Sequence, residues 1–315
     1  MQAFFTLIFV LVFNFFLFRV MPGDPVRLLV KKNGVRLTEA AQATLTHDLG
    51  LDKPIPAQFV DYVSKTLRGQ LGESFLYPGQ SVMEVFLKFL WPTLLLVGTA
   101  TIIMTVVGIW LGIRGGWNRG GFLDKTSMNS TLLLYSMPDF WLAMMLLILF
   151  STTLGWFPDG GYSNPNADAT GIGHLVDVAW HLFLPCLTLV LGYLGEYYLV
   201  MRSALLDVLG EDYITTVRAK GIREDRVLWG HAVRNAMLPT ISQVALGFGF
   251  VISGAVTVEI VFSYPGLGQL TLNALNTLDF LLLQGLFLFF SLAVLLSNLA
   301  ADLLYSWFDP RVREA

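Results

Sequence analysis

The chain has 315 residues, 55% of them hydrophobic and only 14% charged, and its mean hydropathy is +0.63. Those values exclude an ordinary soluble protein, while a formal net charge of −3 hides a strong asymmetry along the chain and says little about partners. The single Cys186 excludes an intramolecular disulfide or a thiolate cluster, and His47, His174, His181 and His231 show no metal-ligand spacing.

Phe4 to Val20 is a first apolar run of about 17 residues, just long enough to cross a bilayer. No small-residue cleavage site follows it, so it reads as an anchor that stays. Residues 22–90 are polar enough to lie outside the membrane. Within them Phe59, Val63 and Leu67 share one helical stripe, with Pro56 near its start and Gly69 at its end. Ser81 and Glu84 form a capping box for a helix carrying Val82, Val85, Phe86 and Phe89. Five more apolar stretches follow: Thr93–Ile113, Thr131–Leu154, Leu182–Met201, Ile241–Phe262 and Leu281–Trp307. The last two are joined by FSYPGLGQL, whose Pro and Gly residues predict a sharp turn.

The longest polar stretch after residue 90 runs from Arg202 to Pro239 and carries Arg202, Arg218, Lys220, Arg223, Arg226 and Arg234. Gly210 can end one helix, Asp212 can cap the next, and Gly221 can close it in the left-handed conformation. The expected helix covers Tyr213 to Lys220, roughly 12 Å long. Glu224 and Asp225 stand where a further helix would begin. Basic residues also occupy loop 114–127 (Arg114, Arg119, Lys125) and the tail (Arg311, Arg313), whereas loops 155–180 and 263–280 hold none. This distribution predicts both termini in the cytoplasm, with 22–90 translocated as a longer segment.

DYITTVRAKG followed by RVLWGHAVRNAMLP resembles the cytoplasmic loop of permease subunits in binding-protein-dependent ABC importers, in particular the peptide/nickel branch with its dipeptide/oligopeptide permease B type. PGDP, LGLDKPIPAQFVDYV, LRGQLGESF, FSYPGLGQL and DLLYSWFDPRVR are similar to that branch too, so the resemblance covers nearly the whole chain. Thr215-Thr216-Val217 replace the Glu-Ala-Ala of the wider family's signature, and only Gly221 keeps its place. The resemblance implies an all-α integral membrane protein with six spans, the type I importer permease fold, and a small helical extracytoplasmic segment between spans 1 and 2. Residues 1–90 would hold the first span and that segment, and 91–315 the core permease domain with its coupling loop at 202–239. Asp212, Tyr213, Thr216, Arg218, Ala219, Lys220 and Gly221 would then belong to the helix that docks on an ATPase.

No G-x-x-x-x-G-K-[ST] occurs, and GIRGGWNRGG lacks the Lys-Ser/Thr ending, so the chain is not expected to be an enzyme or to bind a cofactor. The resemblance implies a second permease subunit in a heterodimer, two ATP-binding subunits and an extracytoplasmic substrate-binding protein, in a bacterial or archaeal plasma membrane and without nucleic acid. Cargo is expected to be di- or oligopeptide; nickel chelates, glutathione and oligosaccharides stay open. A self-sufficient secondary transporter or channel is the reading from another class, but no internal repeat is seen, and the polar residues within the spans are few. Among them Asp139, next to Pro138, lies about eight residues into the third span, roughly 12 Å deep. Carboxylates there are costly on lipid, which marks Asp139, Glu196 and Glu259 as candidates for the translocation path, Glu196 with Arg202 as its partner. Pro138 frees a backbone carbonyl and permits a kink.

Overall fold

A computed structural model describes residues 2–19, 52–165 and 171–308. Among these every regular element is helical, apart from an isolated bridge between Glu73 and Ser81. The PGDP turn at residues 22–25 and the basic residues Arg311 and Arg313 lie outside the described residues. The chain divides into two compact units: Met1–Trp91 with Gly266–Leu295, and Pro92–Pro265 with Leu296–Ala315.

The first unit holds α1 (Gln2–Arg19), α2 (Ile55–Leu67), the opening turns of α3 (Val82–Trp117), α10 (Leu267–Thr277) and the first part of α11 (Phe280–Phe308). Phe15 of α1 packs edge-on against Phe59 of α2, with ring centroids 5.2 Å apart. The capping box forms: the Ser81 amide donates to Glu84 at 2.8 Å, and the Glu84 amide donates to Ser81 Oγ at 3.2 Å. Asp279 is fully buried between α10 and α11. One carboxylate oxygen accepts the Leu282 amide at 3.0 Å and so caps α11. The other accepts the Ser74 hydroxyl at 2.7 Å and the Leu76 amide at 2.9 Å, pinning the 74–76 loop to the helix start.

The second unit contains the rest of α3, then α4 (Phe122–Tyr135), α5 (Asp139–Leu146) and a π-helical stretch Leu147–Thr153. After these come α6 (Gly171–Leu209), α7 (Asp212–Ala219), a single turn Glu224–Arg226, a second π-helical stretch Val227–Ala232, α8 (Val233–Gly254) and α9 (Val256–Val261). Helices α3 and α6 approach closely because α3 presents Gly108 and Gly112. A Cβ on Gly108 would stand 2.6 Å from Tyr197 Cβ, and one on Gly112 2.7 Å from Met201 Cβ. One apolar cluster gathers Leu96, Ala100, Leu184, Tyr197 and Phe262; another gathers Met201, Leu205, Ile214, Val227 and Ala232.

Three helical stretches among the described residues are long and apolar enough to cross a membrane: Val82–Trp117, Gly171–Leu209 and Phe280–Ala300. A fourth counts if α4 and the Asp139–Thr153 segment form one broken span. Phe5–Phe18 is a shorter apolar helix. The expected third span, Thr131–Leu154, is broken at Pro138, where a kink was expected, and Asp139 does not lie within a continuous helix. The chain bends by 103° between Tyr135 and Asp139. Pro138, at φ −61° and ψ 135°, is extended and has no N–H to continue the ladder, so α4 stops and α5 starts afresh. Asp139 is therefore the first residue of a helix rather than a residue deep within one.

Candidate functional site

The loop between α6 and α8 is built around α7. Its N-cap is Glu211, with φ −74° and ψ 143°, and no side chain caps the helix. Asp212, expected as the cap, instead occupies the first helical position, where its charge complements the exposed amides. Gly221 has φ +72°, and its amide donates to the Arg218 carbonyl at 2.9 Å, so the left-handed closure forms as expected. Ile214 is fully buried in the cluster with Met201, Leu205 and Val227, a contact that contributes about 1.5–3 kcal/mol. The Tyr213 hydroxyl accepts the Asn235 amide of α8 at 2.6 Å. The Thr216 hydroxyl donates to the Asp212 carbonyl within the helix.

Arg218 is committed within the loop. It donates from Nε and Nη2 to the two oxygens of Glu224, at 3.2 and 3.3 Å, and its guanidinium lies 5.7 Å from the Trp117 ring centroid. Both partners are about half exposed, and such a pair contributes about 0–1 kcal/mol. Lys220 is exposed, as are Thr215, Thr216 and Ala219. Helix α7 is thus fixed to the second unit by one face and open on the other.

The carboxylates singled out within the apolar stretches each accept a hydrogen bond from a neutral donor. The Tyr193 hydroxyl donates to Asp139 at 2.7 Å, the Gln243 amide to Glu196 at 2.6 Å, and the Thr93 hydroxyl to the fully buried Glu259 at 2.7 Å. Glu196, Gln243 and Tyr193 line a cavity of about 220 Å³ whose other walls are mostly apolar, including Val97, Ala100 and Leu189. The cavity is lined by both Glu196 and Tyr193, the residue that holds Asp139; neither Asp139 nor Glu259 lines it. Among the described residues no group of three His, Cys, Asp or Glu could hold a metal ion.

The expected pairing of Glu196 with Arg202 does not form. Arg202 instead grips Asp124, at the start of α4, with Nε 2.6 Å from Oδ1 and Nη2 2.8 Å from Oδ2. The Tyr198 hydroxyl and the Gly120 amide also donate to this carboxylate, at 2.8 and 2.9 Å. A Cβ on Gly115 would come within 2.9 Å of Asp124 Oδ1, so the site exists because that position of α3 has no side chain. Two parallel, charge-assisted bonds from one guanidinium fix Asp124 on Arg202, while Glu196 is left to the Gln243 amide. Sequence reasoning missed Asp124 altogether; the one trace it leaves is its place between paired glycines and an apolar run.

The comparisons with known proteins agree with this architecture. The model of the family described as "Binding-protein-dependent transport system inner membrane component" matches residues 104–314, and the corresponding N-terminal model matches residues 1–77. The dipeptide transport system permease protein DppB of Escherichia coli K12 is 36% identical, covering 98% of this chain and 95% of its own. The di/tripeptide transport system permease protein DppB of Pseudomonas aeruginosa is 36% identical, covering 95% and 93%. The glutathione transport system permease protein GsiC of Pectobacterium atrosepticum is 35% identical, covering 98% and 95%. A chain from inward-facing structures of the MetNI methionine ABC transporter shares the fold, with a TM-score of 0.56 at 15% identity over 72% of this chain and 97% of its own. The chain belongs to the inner membrane components of binding-protein-dependent transport systems, the multi-pass permease subunits of ABC importers.

Proposed function

We propose that this chain forms half of the translocation pathway of an ATP-driven importer of di- and oligopeptides in a bacterial inner membrane, with α7 as the helix that docks on an ATPase subunit. It pairs with a second, different permease subunit, works with two ATPase subunits that bind and hydrolyse the nucleotide, and receives cargo from an extracytoplasmic binding protein. The spans are α1, α3, the broken pair α4–α5, α6, α8 with α9, and α11, with both termini inside; residues 1–90 carry the first span and an extracytoplasmic segment, and 91–315 the core. The observation that carries this reading is the seat of α7. Ile214 ties it to the ends of the membrane helices, while Thr215, Thr216, Ala219 and Lys220 face outward. A helix held in this way moves as one piece with α6 and α8. Glu196 and, through Tyr193, Asp139 border the path taken by cargo; Pro138 supplies the bend beside them, and Glu259 supports the same bundle through Thr93. Peptide cargo is supported by the dipeptide and di/tripeptide relatives, and the glutathione relative makes that tripeptide the first competitor to try.

The test is uptake of a labelled dipeptide into vesicles containing the full complex, with and without the ATPase subunits and with excess glutathione. Uptake should require ATP and every subunit; uptake without the ATPases would sink the reading. Gly221→Val strains a left-handed turn by about 1–2 kcal/mol or more and should lower the cargo moved per ATP. Orientation has its own check: cysteines at Ser163 and Asn273 should react with an impermeant label from outside, and cysteines at Asn118 and Glu224 should not.

A further inference from the structure

We propose that Asp124 and Arg202 form the joint that carries displacement of α7 into α4, acting as positioning residues that touch neither cargo nor nucleotide. The proposal rests on the reading of α7 as the docking helix. The connection from α7 to α6 is tight: only Gly210 and Glu211 intervene, and their amides bond back to Leu206, Asp207 and Val208 of α6 at 3.1–3.2 Å. Ile214 adds its buried contact to Met201 and Leu205. A push on α7 therefore moves the end of α6.

Arg202 lies about two turns before that end. Its two parallel bonds fix both distance and angle to the carboxylate, which a single lysine contact would not do. Farther along, α4 meets α6 where Gly195 packs on Thr131; a Cβ there would lie 3.1 Å from the Thr131 carbonyl. That contact is close but carries no directional bond between the helices, so it permits sliding. The Asp124 site does not, because four donors from the turn after α3 and from α6 converge on one carboxylate that is only 3% exposed. At its other end α4 meets the 103° bend before Pro138, so a shift of α4 changes an angle there without stretching a helix.

The experiment compares Asp124→Asn, Arg202→Lys and Gly221→Val with the parent in vesicles holding the full complex, reading ATP hydrolysis, uptake and the amount of assembled complex. Asp124→Asn keeps the shape and removes the charge; Arg202→Lys keeps the charge and loses the fork. Both should hydrolyse ATP but move at least about fivefold less cargo per ATP, the lower range of coupling between sites, with Arg202→Lys the milder. An unchanged ratio in the assembled complexes, including the case where only their amount falls, overturns the joint and leaves a stability clamp. Where Asp124→Asn fails to assemble, Arg202→Lys decides by the same ratio. If Gly221→Val lowers the ratio and neither joint variant does, the joint alone falls. If Gly221→Val leaves the ratio unchanged, the docking reading falls and takes the joint with it.

Discussion

Two arginine–carboxylate pairs flank the α6–α7 junction and use the same fork of donors in different surroundings. Arg202–Asp124 is short, with side chains 16% and 4% exposed; Arg218–Glu224 is longer, with side chains 43% and 58% exposed. Water competes for the second pair and screens it, so it trims the loop without fixing it. The first is shut off by Gly115, Tyr198 and the turn at Gly120, so each partner is needed to compensate the other. A third kind of site separates the effects of charge and burial. Asp139 and Glu196 lie within apolar stretches and accept from neutral groups, the Tyr193 hydroxyl and the Gln243 amide. The lesson is that burial and matched charge together make a rigid junction, while either alone makes a weaker one.

The comparison predicts a ranking. Arg202→Met leaves the Asp124 charge buried without compensation and should destabilise the purified complex by about 3–5 kcal/mol, seen as a large drop in its thermal midpoint; a midpoint unmoved by this change would show that the pair is no more than surface trim. Tyr193→Phe strips the hydrogen bond from Asp139 and should cost about 1–3 kcal/mol. Asp139→Asn still accepts from that hydroxyl and should be milder in stability, yet slower in uptake, if the carboxylate borders the path. Equal uptake for every cargo would reduce Asp139 to helix packing. Arg218→Ala should cost about 0–1 kcal/mol, with a small loss of ATPase binding that high salt erases.

Local features were legible in the chain because they depend on a few consecutive residues. The apolar stretches follow from hydropathy along one segment, and the Ser81–Glu84 box, the left-handed Gly221 and the Glu224 helix start from side-chain chemistry over less than two turns. Pro138 was legible as a kink, but not as a 103° bend, since the angle depends on what the following helix packs against. The cap falls on Glu211, whose backbone is extended, one position before the expected Asp212, which serves instead as an acidic residue in the first turn.

Pairing between helices was not legible. Arg202 finds Asp124 from 78 positions away, and Glu196 finds Gln243 from 47. Which side chain meets which depends on the rotation of each helix about its axis and on how closely the backbones approach. On α3 that approach is set by Gly108, Gly112 and Gly115, whose missing side chains only the packed structure shows to be facing α6 and Asp124. The sequence by itself determined the long apolar helices α3, α6 and α11, the family the chain belongs to and the left-handed turn at the end of α7, because hydropathy, glycine conformation and local capping act within one segment. Only the tertiary structure decided that Asp124 rather than Glu196 takes the arginine, because two charges separated in sequence interact at the strength of their burial and geometry, and both are properties of the packed chain.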